Sequence, residues 1–223
     1  MIDTNYYVML SYNQGYLPAK GVSKMKILFA VSDRDFLSSF AKLFEISGYE
    51  TDTTFDGAQT LRKISETAFD LVILERTIPR VKCGEIIQIL QEKDIPVIVI
   101  SEKSISSSML LGNNIANAYI SLPFLPQELL ELASEVINRR KSSNVFSRGD
   151  IVVSEGSFML CGKQRITCRE MDVLSALSQD KEIDAKRMGA YINSLNIKIE
   201  GINKKPRIKY INGEGYRLVN NNE

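Results

Sequence analysis

Glu75 stands at the end of the run Asp70-Leu71-Val72-Ile73-Leu74, and a carboxylate in that place is the residue of this chain best positioned for chemistry. Apolar, β-branched residues closing on an acid put it at the carboxyl edge of a buried parallel strand, where open α/β sheets carry their sites. Other reactive types are sparse. Histidine is absent, which removes the commonest general base and metal ligand. Cys83, Cys161 and Cys168 are odd in number, far apart and without a CxxC pair. Neither a zinc site nor a disulfide framework is expected, and the compartment reads as a reducing cytoplasm. The sequence has no Gly-rich phosphate loop and no nucleophile and base pair, because Gly213-x-Gly215 falls in a hairpin pattern. The chain is therefore not expected to be an enzyme, and no metal or cofactor is expected.

The elements that must position Glu75 are legible as an alternation. From Met25 onward, strand patterns at Ile27 to Val31, Glu50 to Thr54, Leu71 to Leu74, Val97 to Ser101 and Ala118 to Ser121 each precede a helical pattern. The helices read as Asp35 to Ser47, Gly57 to Thr67, Gly84 to Glu92, Ser106 to Asn114 and Pro126 to Lys141. Five strands interleaved with five helices imply a doubly wound parallel sheet with right-handed crossovers. Residues 1–24 show no sustained period and no secretory pattern; they read as a leader, with Met25 as a natural start. The longest apolar run, Ile95 to Ile100, fits one strand and is far short of the roughly 18 to 20 residues needed to span a bilayer, so no membrane role is expected.

Arg139 to Asn144 is a polar exit from the last helix, and residues 142–148 read as a linker to a second domain over 149–221. Short strands around Gly162-Lys163 precede Thr167-Cys168-Arg169-Glu170, a capping box that starts a helix burying Met171, Leu174 and Leu177. A second helix, Ala185 to Glu200, carries Met188, Tyr191, Ile192, Leu195 and Ile199 as one apolar stripe. Its other face is read as Lys186, Arg187, Gly189, Ala190, Asn193, Asn196, Ile197 and Lys198. Arg207 to Ile211 and Glu214 to Val219 then form a hairpin about Asn212-Gly213. Helices followed by a β-ribbon suggest a small winged-helix α+β domain. Residues 148–223 hold 13 Lys and Arg against 10 Asp and Glu, whereas residues 25–147 hold 13 against 16, so the second half is the one expected to meet a polyanion.

The order of elements and several strings resemble the OmpR/PhoB-like response regulators, which pair a receiver domain with a winged-helix DNA-binding domain. The resemblance runs over residues 25–221. Its marks are Asp70 to Glu75 with Pro79, the string Tyr119-Ile120-Ser121-Leu122-Pro123-Phe124, and the ending Tyr210-Ile211-Asn212-Gly213-Glu214-Gly215-Tyr216-Arg217-Leu218-Val219. It implies a receiver-like (βα)5 domain at residues 25–141 and a transcriptional regulator with double-stranded DNA as partner. RNA polymerase would be a further partner, although the loop that commonly meets it is missing.

The departures from the family are informative. Family receivers hold Mg²⁺ with an acidic pair after the first strand; Val31 and Ser32 match those positions, with Asp33 the only acid nearby. Glu75 matches the phosphoacceptor aspartate and Leu122 the lysine that pairs with the phosphoryl group, while the hydroxyl, as Ser101, and the aromatic, as Tyr119, are retained. Phosphoryl transfer depends on positioning and on cations that offset transition-state charge, so aspartyl phosphorylation is not expected. Two readings of Glu75 stand: it reaches towards Ser101 as a partial stand-in for a phosphoryl group, or it is a relic facing water or paired with Arg76, Lys82 or Lys103. Cys83, beside this pocket, reads as a semi-buried thiol rather than a redox sensor.

The resemblance also implies a recognition helix at 185–200. Asn193 and Asn196 would read adenine edges, Lys186, Arg187 and Lys198 would meet phosphate or guanine, and Lys204, Lys205, Arg207, Lys209 and Tyr210 would lay the wing along the backbone. Receivers of the family dimerise through their last helices, and Leu129, Leu132, Ala133 and Val136 mark an apolar dimer face here. The expectation is a cytoplasmic, phosphorylation-independent transcriptional regulator acting as a homodimer. The rival is an interaction protein that pairs with another regulator without binding DNA; a missing helix between the two of the second domain, Glu214 and Ile197 favour it.

Overall fold

The computed structural model describes residues 24–112, 114–148, 151–179, 181, 183–203, 208–212 and 214–219. They fall into two compact units, one of residues 24–100 with Pro123–Ala133, the other of Ser101–Leu122 with the described residues from Ser134 onward. The leader therefore lies outside the described residues up to position 23. Among the described residues, no helix is long and apolar enough to cross a membrane.

The chain runs β1 (Lys26–Ala30), α1 (Arg34–Ile46), β2 (Glu50–Thr54), α2 (Gly57–Glu66), β3 (Leu71–Glu75), α3 (Cys83–Glu92), β4 (Val97–Ser101), a 3-10 turn (Ser107–Leu110), β5 (Ala118–Ser121) and α4 (Pro126–Arg140). The sheet order is β2-β1-β3-β4-β5, with β1 parallel to both β2 and β3, and β3 parallel to β4. This is the doubly wound parallel sheet expected from the alternation. Ile27–Ala30, Leu71–Leu74 and Val97–Ile100 are almost wholly buried, which explains why they read as continuous apolar runs rather than alternating ones. The strand order reverses between β1 and β3, so the crevice at their carboxyl ends is the place where a fold of this kind puts its site.

Three local devices shape that crevice. Asp33 caps α1, accepting from the backbone N–H of Asp35 at 2.9 Å and of Phe36 at 3.1 Å. Asp56 caps α2 through the Gln59 N–H. The segment after Glu75 is then tied to the start of α2: Gly57 N–H donates to the Pro79 carbonyl at 2.9 Å, and a Cβ at Gly57 would come within 2.6 Å of the Val81 Cβ. Only glycine permits that approach. The same segment holds Arg80 at φ 73°, an uncommon conformation for a residue with a Cβ, tethered to Asp56 by an ion pair of 3.4 Å.

In the second unit the helix expected over Ser106 to Asn114 is reduced to the 3-10 turn. Ser106, Ser107 and Ser108 are poor helix formers, and Gly112 sits at φ 101°, outside the helical region. The Tyr119 hydroxyl fixes the turn, donating to the Met109 carbonyl and accepting from the Ala116 N–H, both at 3.1 Å.

The chain continues with β6 (Val145–Arg148), β7 (Ile151–Ser154), β8 (Met159–Leu160) and β9 (Gln164–Arg165), a four-stranded antiparallel sheet in sequence order. It ends with α5 (Cys168–Ser178), α6 (Ala185–Asn203), β10 (Ile208–Ile211) and β11 (Gly215–Leu218). The capping box read at Thr167 and Glu170 forms in full. The β10–β11 pairing is antiparallel with Ile211 opposite Gly215, and the Glu214 N–H donates to the Ile211 carbonyl at 3.0 Å. The pairing therefore leaves three residues between the strands where the sequence suggests a two-residue Asn212-Gly213 turn; Gly213 lies outside the described residues, and Gly215, which opens β11, has φ 78°.

Candidate functional site

Glu75 ends β3 beside the end of β1, and both oxygens of its carboxylate accept from neutral donors. One oxygen accepts from the Ser32 N–H at 2.7 Å and the Ser32 hydroxyl at 2.6 Å; the other accepts from the Thr77 hydroxyl at 2.9 Å. Neither earlier reading of Glu75 describes this geometry. Its partners are Ser32 and Thr77 instead of Ser101, and instead of Arg76, Lys82 or Lys103. Ser101, buried, accepts from the Lys103 N–H at 3.2 Å. Val31 is 4% exposed and packs as core, Asp33 is committed to capping α1, and Leu122 is exposed. Chemically, the crevice presents one carboxylate with both oxygens already accepting hydrogen bonds, next to a serine where a second acid would be needed to grip a hard cation. Thr77 is the residue that sequence reasoning missed. Its signal was present, since a hydroxyl two residues beyond a strand-terminal acid can fold back onto it.

Cys83 opens α3 and is half-buried. Burial pushes its thiol up to about 11, with the Arg76 charge opposing. A helix N-terminus ordinarily favours thiolate, but here burial outweighs it.

The second candidate surface is α6 with the wing. Tyr191, Ile192, Ser194, Leu195, Lys198 and Ile199 are buried; Arg187, Asn193, Ile197 and Glu200 are exposed. Lys198 is the principal correction. Its ammonium contacts both oxygens of Glu170, at 2.7 and 2.8 Å, with side-chain exposures of 2% and 0%. Burial lowers the pKa of Lys198, and the Glu170 charge pulls it back towards its ordinary value. Glu170 also accepts from the Thr167 N–H at 2.8 Å, so one carboxylate caps α5 and anchors α6. Lys198 is thus withdrawn from any nucleic acid. Its position gave this away, because it follows Tyr191 by seven residues and Leu195 by three, on the apolar stripe.

Asn196 is corrected as well: its side-chain amide pairs with both backbone groups of Ile208, donating to the carbonyl and accepting from the N–H at 3.0 Å each, and so stitches α6 to β10. A side chain so occupied cannot also read a base edge. Asn193, Arg187, Lys209 and Tyr210 remain at the surface, Tyr210 at 62% exposure with its ring edge-on to Tyr216 at 5.4 Å. Lys186 lies in α6 with its side chain outside the described residues, and Lys204, Lys205 and Arg207 lie outside them altogether.

The surface assigned to dimerisation is also corrected. Leu129, Ala133 and Val136 are 0% exposed and Leu132 is 6%, all within a single chain. The expectation failed because α4 is apolar on more than one face, and its residues Val136 and Ile137 belong to the compact unit that holds α5. In that unit Arg139 of α4 pairs with Asp172 of α5 and with Glu135, and the Cys168 N–H donates to the Asn117 carbonyl at 2.9 Å. A further bond joins the Ser194 hydroxyl of α6 to the Leu110 carbonyl at 3.4 Å.

Comparison with known proteins agrees with the fold. Residues 27–134 match the response regulator receiver domain. The transcriptional regulatory protein PrrA of Mycobacterium leprae is 28% identical over 172 residues, covering 72% of this chain and 74% of the relative. The response regulator ArlR of Staphylococcus saprophyticus is 24% identical over 216 residues, 86% of this chain and 98% of the relative. Among solved structures, DrrB of Thermotoga maritima, an OmpR/PhoB homologue, superposes with a TM-score of 0.51 at 22% identity, covering 89% of this chain and all of that one. A RitR mutant superposes at 0.60 and 18% identity over 87% of this chain and 98% of its own.

Proposed function

We propose, from the premise that this chain is homologous to OmpR/PhoB-type transcriptional response regulators, that it is a cytoplasmic DNA-binding regulator working without aspartyl phosphorylation. The observation that carries the second half is the engagement of both Glu75 oxygens by hydrogen bonds from Ser32 and Thr77. Transfer of a phosphoryl group onto a carboxylate needs a free oxygen in line with the donor and cations to offset the developing charge. Here both oxygens accept from neutral donors, and Asp33, the acid that follows Ser32 in the chain, already accepts two backbone N–H groups. Glu75 acts as a latch between the ends of β1 and β3.

The proposed division assigns residues 25–141 to the receiver-like part and the chain from Val145 to 221 to the winged-helix part, since β6 pairs with β7 along its whole length. DNA would meet the exposed face of α6 and the β10–β11 wing, with Arg187, Asn193, Lys209 and Tyr210 as the described contacts. Lys186, Lys204, Lys205 and Arg207 extend that set from the sequence. The buried core position of Leu129, Leu132, Ala133 and Val136 gives no support to dimerisation through α4.

Fluorescence anisotropy with fragments of the source genome, titrated with salt and repeated after acetyl phosphate treatment, tests the proposal. The expected result is binding that weakens steeply with salt and is unchanged by the phosphodonor. Tightening of affinity together with a mass gain of one phosphoryl group would overturn the phosphorylation-independent reading. Failure to retain any fragment at low salt would leave the non-DNA-binding interaction protein as the reading that stands.

A further inference from the structure

Withdrawal of Lys198 and Asn196 changes what the outer face of α6 presents. Ala190, Asn193 and Ile197 follow one another at i, i+3 and i+7, so they lie on one face, opposite the buried stripe of Tyr191, Ser194, Leu195 and Lys198. Ile197 is 50% exposed and Asn193 is exposed. Arg187, exposed in the first turn, is spaced with Tyr191, Ser194 and Lys198 and not with this face, and Glu200 closes the face at the other end. The described side chains of the face are uncharged up to Glu200; Lys186, four residues before Ala190, shares the face by spacing, and its side chain lies outside the described residues.

In the major groove, guanine is read chiefly by arginine or lysine, adenine by the bidentate amide of asparagine or glutamine, and thymine by apolar contact with its 5-methyl group. We infer that α6 reads an A·T-rich step in the major groove, Asn193 pairing with an adenine edge while Ile197 and Ala190 pack on thymine methyl groups. This rests on the proposal that the winged-helix part binds DNA. From Ala190 to Ile197 the helix rises about 10 Å, which matches about three base pairs, so the contacts fall on a short A·T block. The exposed isoleucine gains a role that a lone solvent-facing residue lacks: its methyl groups lose water only when the groove covers them. Glu200 limits the contact at the carboxyl end, because its charge is repelled by phosphate. Phosphate contacts fall instead to Arg187 and to Lys209 of the wing, which orient the helix without reading sequence.

The test uses the full chain and a duplex it selects from genomic fragments, prepared once with thymine and once with deoxyuridine, which removes only the 5-methyl groups. Affinity of the unaltered protein should fall about fourfold for each contacted methyl group lost. Ile197→Ala should bind the thymine duplex more weakly and show less than half of that sensitivity, with a thermal unfolding curve matching the parent. Asn193→Ala should lose its discrimination of A·T from G·C pairs while keeping its salt dependence. Equal affinity for both duplexes would overturn the inference and leave DNA binding intact. Sensitivity to deoxyuridine that Ile197→Ala retains in full would also overturn it. Absence of binding to any fragment would overturn the DNA-binding proposal and the inference with it.

Discussion

Two glutamates, Glu75 at the end of β3 and Glu170 in α5, are satisfied in opposite ways. Glu75 is half-buried at the rim of the β1–β3 crevice, where three hydrogen bonds from Ser32 and Thr77 suffice without a countercharge. Glu170 is wholly buried and takes a lysine on both oxygens in addition to a backbone N–H. The difference follows from solvent. At the rim, water still screens the charge, so neutral donors are enough; in the interior, an ionised carboxylate persists only with a charged partner and filled lone pairs. The first carboxylate is therefore a replaceable latch, and the second a fixed joint between α5 and α6.

Breaking the joint gives the largest effect. Lys198→Met strips Glu170 of its countercharge in the core, and urea unfolding should show a loss of about 3–5 kcal/mol. Adding Glu170→Gln, which keeps an oxygen for the Thr167 N–H, should recover more than half of it. A loss below about 1 kcal/mol in the single variant would mean that the pair is solvated. The pH dependence carries a definite sign. Lys198 is held below its ordinary value when folded, so the unfolded chain binds more protons between the lowered value and 10.5. This residue's contribution to stability therefore rises with pH across that window and is constant below it.

The next effect separates core from interface. Leu132→Ala removes a side chain that is 6% exposed, and should cost about 2–5 kcal/mol by leaving a cavity. Sedimentation of the folded variant at a fixed concentration should match the parent. Parental stability with a changed sedimentation coefficient would return Leu132 to a dimer face.

Much of this was legible in the sequence, and the failures share one cause. The apolar runs Ile27 to Ala30, Leu71 to Leu74 and Val97 to Ile100 announced a parallel sheet because strands covered on both faces have no alternation to conceal. Glu75 was found because a charge after such a run is conspicuous. Thr167 and Glu170 announced a capping box by spacing alone. What was misassigned were residues whose type suggested one environment while their position specified another. Lys198 was placed on the solvent face for its charge, although its spacing from Tyr191 and Leu195 set it inside. Leu132 and Val136 were placed at an interface because α4 had more apolar surface than a single sheet could use. Asn196 was read as a donor to bases, but an edge strand nearby left Ile208 with backbone groups to satisfy.

The latch should respond more mildly than the joint. Glu75→Ala strips acceptors from the Ser32 and Thr77 donors at a site water can reach, and should cost about 1–2 kcal/mol. Glu75→Gln retains an oxygen for Ser32 and offers an amide N–H to the Thr77 hydroxyl, so its cost should stay under about 1 kcal/mol. Neither change should alter DNA affinity at a temperature where the variants are folded. A large affinity change in Glu75→Gln at parental stability would show that the negative charge itself, beyond its hydrogen bonds, sets the state of the receiver-like part.

Cys83 tests the smallest difference, that between a pocket with chemistry and one without. A reactive thiol needs its pKa near the working pH, and this one is pushed up to about 11 by burial although it opens a helix beside Arg76. Iodoacetamide at pH 7.5 should label Cys83 in the folded protein far more slowly than in the urea-unfolded chain, with labelling accelerating as pH climbs above about 9. Because the folded thiol keeps its proton where the unfolded one, near 9.0, has lost it, this group's contribution to stability declines between about 9 and 11. Labelling at pH 7.5 as fast in the folded protein as in the unfolded chain would mean that burial does not govern this thiol. The crevice would then hold a nucleophile beside its latched carboxylate.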